Sequence, residues 1–217
     1  MTEYYARQKG LVRVKVTLSN GFSGVTFVAI LTELKRGSMA KKVAMMDYLP
    51  LRKNIIWNYR WLINNKKTIF TCQKKVGKIV KKGSVDWFTV IASDGFGQST
   101  EFHRKTDQGY VVTNGKRKIL LFPKTLTVGQ AFIEKGKGVT CTTTLEKVIP
   151  SLKISGKSYN NVLQIHKEMK SDSSRAIKRW DIYLAPSTGV IKEVTYNKNK
   201  VTSTLDLIEL TAKRKKF

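Results

Sequence analysis

Residues 47–61 run Asp47-Tyr48-Leu49-Pro50-Leu51-Arg52-Lys53-Asn54-Ile55-Ile56-Trp57-Asn58-Tyr59-Arg60-Trp61, the densest aromatic stretch of the chain. Pro50 fixes its own φ and biases Leu49 towards extended backbone, so residues 48–51 read as an extended lead-in. Trp57, Tyr59 and Trp61 alternate at period two, which puts three rings on one strand face and Asn58 and Arg60 on the other. Asn64-Asn65 is a turn signal, and Thr68-Ile69-Phe70-Thr71 resumes a β-prone run, so the stretch opens a sheet with a hairpin. Rings on one strand face ordinarily fill a core. The functional alternative is an aromatic-lined concave surface for an apolar or sugar-like ligand. Trp57, Tyr59 and Trp61, joined by Trp180 from a later strand, are the candidate ligand-binding residues.

Outward from this hairpin the same grammar repeats. Residues 73–82 read as a pair of strand ends carrying Lys74, Lys75, Lys78, Lys81 and Lys82, punctuated by Gly77 and Gly83. These lysines are either a solvated basic face or a contact for an anionic surface. Residues 85–92 form a strand and Ser93-Asp94-Gly95-Phe96-Gly97 a turn; short strands follow up to Phe122, separated by Gly109 and Asn114-Gly115. Residues 131–134 and 139–148 pair across Gly136-Lys137-Gly138. Residues 153–157 read as a loop, and the runs 162–169, 177–184, 190–196 and 201–210 close the chain as strands. No stretch keeps a 3.6-residue apolar period beyond about two turns. Strand runs spaced by Gly and Asn turns give an all-β antiparallel meander, folded as a large curved sheet, a half-barrel or a barrel.

Residues 39–212 are expected to form one β-rich domain, with a basic tail at 213–217. Residues 1–38 stand apart. Residues 11–18 alternate like a strand, Asn20-Gly21 is a hairpin signal, and 22–31 is an apolar run. They read as an added hairpin, an atypical export signal, or a non-native extension ahead of Met39.

The 217 residues carry 41 Lys and Arg against 15 Asp and Glu, a net charge of +26. That charge invites nucleic acid, anionic lipid or acidic polymers. Lysines outnumber arginines 31 to 10 and spread evenly along the chain, whereas sequence-specific base reading favours the arginine fork. No apolar stretch is long enough for a transmembrane helix.

Little in the sequence points to catalysis. His103 and His166 each alternate within a strand and lie in no triad-like motif. Cys72, Cys141 and the two histidines have the ligand types for a metal but scattered spacing. Gly95-Phe96-Gly97 lacks the lysine and helix of a phosphate loop. No catalytic residue, metal site or cofactor is assigned. Cys72 and Cys141 read as two buried thiols, or as a disulfide joining two strands if the protein is exported.

Tyr48-Leu49-Pro50-Leu51, Trp57-Asn58-Tyr59, residues 159–163 and the hairpin Tyr183-x-Ala185-Pro186-x-x-Gly189-Val190-Ile191-Lys192 together resemble uncharacterised bacterial envelope proteins of β-rich fold, often lipoproteins. The resemblance spans roughly residues 45–210, and the last hairpin is its most specific piece. It implies a β-rich envelope or periplasmic domain and supplies no catalytic residues. Such relatives carry a lipidated cysteine just before the domain; residues 1–71 here contain none.

Two functions follow. The first is a non-enzymatic extracytoplasmic domain that binds an apolar or anionic envelope ligand, such as anionic lipid or acidic polysaccharide, or an envelope protein. The second is a cytoplasmic basic protein that holds nucleic acid non-specifically.

Overall fold

The computed structural model describes residues 2–6, 10–15, 41–63, 67–113, 118–136, 138–171 and 177–212. The chain divides into two units, Met1–Lys41 and Lys42–Phe217. In the first, strands β1 (Thr2–Ala6) and β2 (Gly10–Lys15) pair antiparallel. The expected strand at 11–18 thus meets an upstream partner; the Asn20-Gly21 turn and the apolar run 22–31 lie outside the described residues.

The second unit begins with β3 (Lys42–Ala44) and a 3₁₀ turn, Met45–Tyr48. Tyr48 is therefore in a turn, not in an extended lead-in. A six-stranded meander follows: β4 (Ile55–Ile63), β5 (Thr68–Lys82), β6 (Val85–Asp94), β7 (Gly97–Lys105), β8 (Gly109–Thr113) and β9 (Lys118–Pro123). The short β10 (Thr125–Thr127) pairs with β3. A second six-stranded meander comprises β11 (Ala131–Gly136), β12 (Val139–Ile154), β13 (Lys157–Ser171), β14 (Ile177–Ala185), β15 (Gly189–Asn197) and β16 (Lys200–Ala212). β16 returns to pair with β4, which fuses the meanders into one 12-stranded antiparallel sheet, nearly closed into a barrel, with β9 and β11 at its edges.

Three strands, β5, β12 and β13, are longer than expected, for local reasons. Residues 73–82 are part of one strand, β5, whose register shifts between Val76 and Ile79. Gly77 sits at that bulge because a Cβ there would lie 2.5 Å from Thr89 Oγ1. Residues 153–157 are likewise mostly strand: β12 and β13 continue to a two-residue turn at Ser155-Gly156, both at positive φ.

The alternating side chains of these strands make the core. Ile55, Trp57 and Tyr59 are buried with Val76, Val90, Val162, Ile191 and Leu207 in one cluster. Met45, Leu49, Tyr110, Phe122, Leu145, Leu163, Ile165 and Leu184 form the other. The 3₁₀ segment packs into this second cluster. Met45 N donates to Lys124 O, and Asp47 O accepts from Ser187 N. No helix among the described residues is long and apolar enough to cross a membrane.

Candidate functional site

Residues paired across antiparallel strands share a face, so the register locates the inner wall directly. Phe70, Trp61, Leu205, Glu193 and Ile182 are successive partners on β5, β4, β16, β15 and β14. The next row runs Ser203, Thr195, Trp180, Lys167, Thr143 and Phe132 from β16 to β11. Below them Tyr59 pairs with Cys72 and Leu207. Burial falls along β4 from Trp57 and Tyr59, which are buried, to Trp61, which is half-buried. Along β4 the inner wall therefore grades from a packed floor to more accessible side chains, whereas on β12 and β13 Thr143 and Lys167, in the row of Trp180, stay buried at 3% and 7%.

The four predicted aromatic residues divide along this gradient. Trp57 and Tyr59 sit on the floor with their polar atoms engaged: Trp57 Nε1 donates to Thr188 O at 2.6 Å and the Tyr59 hydroxyl to Val190 O at 3.1 Å. Burial pushes the Tyr59 phenol far above its ordinary range, with Glu193 adding to the shift. Trp61 packs with Phe70 and Phe96, all ring centroids within 6.0 Å. Trp180 is half-buried one row further along. Trp61 and Trp180 thus share the accessible part of the wall, and Trp57 and Tyr59 support it from below.

Lys167 is the residue the sequence reading passed over. It belongs to the series Leu163, Ile165, Lys167, Met169, so strand parity places a lysine among inward apolar positions. It is only 7% exposed. Its Nζ donates to Leu121 O on edge strand β9 at 2.7 Å and lies 5.3 Å from the Phe122 ring centroid. Among the described residues it forms no salt bridge. Burial lowers its pKa, against the pull of Cys141, Glu134 and Glu193. It is an ammonium with spare donor capacity, beside Trp180 and held across the inside of the barrel.

The predicted basic run is divided between two faces. Lys74 pairs with Trp57 and is half-buried on the inner face; Lys75, Lys78, Lys81 and Lys82 are exposed. Lys82 Nζ sits 3.2 Å from the centroid of the Phe102 ring. Cys72 and Cys141 are free, half-buried thiols on β5 and β12, and burial raises the pKa of each.

Both histidines are engaged. His103 bridges the Tyr110 hydroxyl and Glu101, each at 3.0 Å; its hydrogen bond holds the Glu101 carboxyl low, although burial opposes this. On the outer face His166 lies between Asp181 at 2.8 Å and Glu168 at 3.4 Å, with Tyr196 donating to Asp181 and Arg179 paired to Glu168. Neither histidine is bonded to a serine or cysteine, and no group of three metal-ligating side chains forms among the described residues.

No protein-family model and no curated protein sequence matches this chain. Two solved structures are similar to it. One is a Bacteroides fragilis protein provisionally described as exported, with a YmcC-like fold; it shares 10% identity at a TM-score of 0.46, covering 78% of this chain and 100% of its own. The other is provisionally described as a lipoprotein, from Parabacteroides distasonis, with 11% identity and a TM-score of 0.43, covering 76% of this chain and 98% of its own.

Proposed function

We propose that residues 42–212 form a non-catalytic, extracytoplasmic binding domain that takes an anionic amphipathic ligand against the inner wall of its barrel. Lys167 is the charge partner, and Trp61, Trp180 and Phe70 form the apolar surface. The compartment follows the sequence resemblance to envelope proteins. The ligand class rests on one observation: a buried ammonium, without a salt bridge among the described residues, shares an inner row with Trp180. Burying a cation is costly unless something compensates it. The Leu121 carbonyl, the Phe122 ring and the fields of Glu134 and Glu193 do so partially, since burial still lowers the Lys167 pKa, and an anionic headgroup beside it would add to the compensation. The engagement of both histidines supports binding over chemistry.

The test is a titration of intrinsic tryptophan fluorescence with dodecyl phosphate and, separately, with dodecanol, both kept monomeric. Dodecyl phosphate is expected to bind at least about tenfold tighter, the worth of one charge-assisted hydrogen bond of roughly 1.5 kcal/mol. Lys167→Met should remove that preference while leaving dodecanol binding in place. Equal binding of the two amphiphiles by the unaltered protein, or binding by neither, refutes the assignment.

A further inference from the structure

We infer that the end of the barrel where β4 finishes, which bears the β6–β7 and β15–β16 turns, docks on an anionic lipid bilayer. The inference does not depend on the inner-wall ligand. The antiparallel order of the sheet also brings the last residues of β11 and β13 and the first of β12 and β14 to this end. Large apolar side chains are exposed on it: Phe96 at 66%, Ile69 at 64%, Ile133 at 56% and Val201 at 39%. Phe96 occupies the β6–β7 turn, and Ile69 and Val201 are each the second residue of a strand leaving this end. Exposed lysines stand among them, including Lys135, Lys178, Lys198 and Lys200.

Basic charge alone would not choose an end, because the opposite end carries Lys81, Lys82, Lys153 and Lys157, all exposed. The apolar side chains choose it. Among the described residues, the other large hydrophobic side chains prominently exposed are Ile79 and Ile119, which share one hydrogen-bonded row away from this end, and Ile208, midway along β16. Protruding apolar tips among lysines suit a surface with hydrocarbon beneath anionic headgroups. A nucleic acid offers phosphates but no hydrocarbon layer for separate aliphatic side chains to enter. Docked this way, the accessible part of the inner wall, with Trp61 and Trp180, faces the lipid.

The experiment is vesicle flotation of the full chain, comparing phosphatidylcholine vesicles with and without phosphatidylglycerol at near-physiological salt. Ile69→Ser/Ile133→Ser leaves the Trp61–Phe70–Phe96 contacts in place and is expected to weaken binding to the anionic vesicles by at least about tenfold. Lys198→Ala/Lys200→Ala is expected to weaken it by about tenfold. Ile79→Ser with Lys81→Ala and Lys82→Ala, at the opposite end, should bind as the unaltered protein does. Far-UV circular dichroism checks that each variant is folded. Failure to float with anionic vesicles overturns the inference, and so does equal weakening by variants of the two ends, which would mean adhesion by net charge in no fixed orientation. Dodecyl phosphate binding by the rim variants is read separately, so loss of docking and loss of the Lys167 site are distinguishable.

Discussion

Replacing Tyr59 by Phe separates the floor of the barrel from its accessible wall. The substitution keeps the ring and removes one hydroxyl, which donates to Val190 O at 3.1 Å from a side chain 3% exposed. Losing the bond costs about 1 kcal/mol, and leaving the buried carbonyl short of a partner brings the total to about 1–2 kcal/mol. For a domain of this size each kcal/mol moves the melting temperature by about 2–4 °C, so a fall of about 2–8 °C is expected by calorimetry. The effect has a pH signature. Burial raises the folded-state pKa of Tyr59 far above its unfolded value of about 10. Below that value the phenol is neutral in both states. Above it the unfolded chain loses the proton and the folded one keeps it, so the stability from this group declines as pH rises. The gap between the parent and Tyr59→Phe should therefore be full at pH 7–9 and narrow above about pH 10. Binding of dodecyl phosphate should be unchanged. A variant that melts within a degree of the parent at neutral pH would refute the assignment of Tyr59 to a hydrogen-bonded floor.

Gly109 has φ +147, and a Cβ there would lie 2.2 Å from Phe122 O, where β8 meets β9. Gly109→Ala should destabilise by more than about 2 kcal/mol, read as a loss of soluble, cooperatively melting protein. For His166, burial lowers the pKa but the hydrogen bonds and charges of Asp181 and Glu168 outweigh it, so the folded value is raised. Its stabilisation is complete below the unfolded pKa of about 6.5 and is lost as pH rises through the higher folded value. His166→Gln should flatten that decline in melts recorded from pH 5.5 to 8.5. Lys167 has the opposite sign, because burial lowers its folded-state pKa. Between that value and the unfolded one of about 10.4, the folded chain sheds a proton that the unfolded chain keeps, so stability rises with pH. The parent-minus-Lys167→Met difference in denaturant midpoint should move in the parent's favour as pH rises towards 10, and a flat difference would count against burial of the charged form.

Trp57-x-Tyr59-x-Trp61 was legible as one strand face because alternation is a local property, and Trp57, Tyr59, Ile55 and Leu207 do pack in one cluster. The turn residues likewise marked most of the hairpins. What sequence spacing could not supply was the pairing of β16 with β4, which joins positions some 150 residues apart and turns two meanders into one sheet. The true length of β5 was hidden for a different reason. Gly77 looks like punctuation, yet it is the residue that admits Thr89 at a bulge inside a continuous strand. Residues 153–157 misled in the same way, since two residues at positive φ suffice for a turn that the composition spread over five.

Charge was the most visible property of the sequence and the least informative about position. Lys74 and Lys75 are neighbours in the chain, but strand parity sends Lys74 to the inner face beside Trp57 and leaves Lys75 exposed on the other. Lys167 attracted no notice because it lies in no basic run, yet it is the lysine whose surroundings are most unlike water. A chain of net charge +26 will adhere to many polyanions through its exposed lysines, each contributing a small, salt-screened amount. Selectivity has to come from positions where a cation is desolvated or stands beside apolar surface, since there the anion must also match in shape and in hydrocarbon content. Lys167 beside Trp180 is the first kind of position, and the lysines among Phe96, Ile69 and Val201 are the second. Raising the salt should therefore strip away the uniform adhesion first and leave dodecyl phosphate binding to the inner wall as the more persistent interaction.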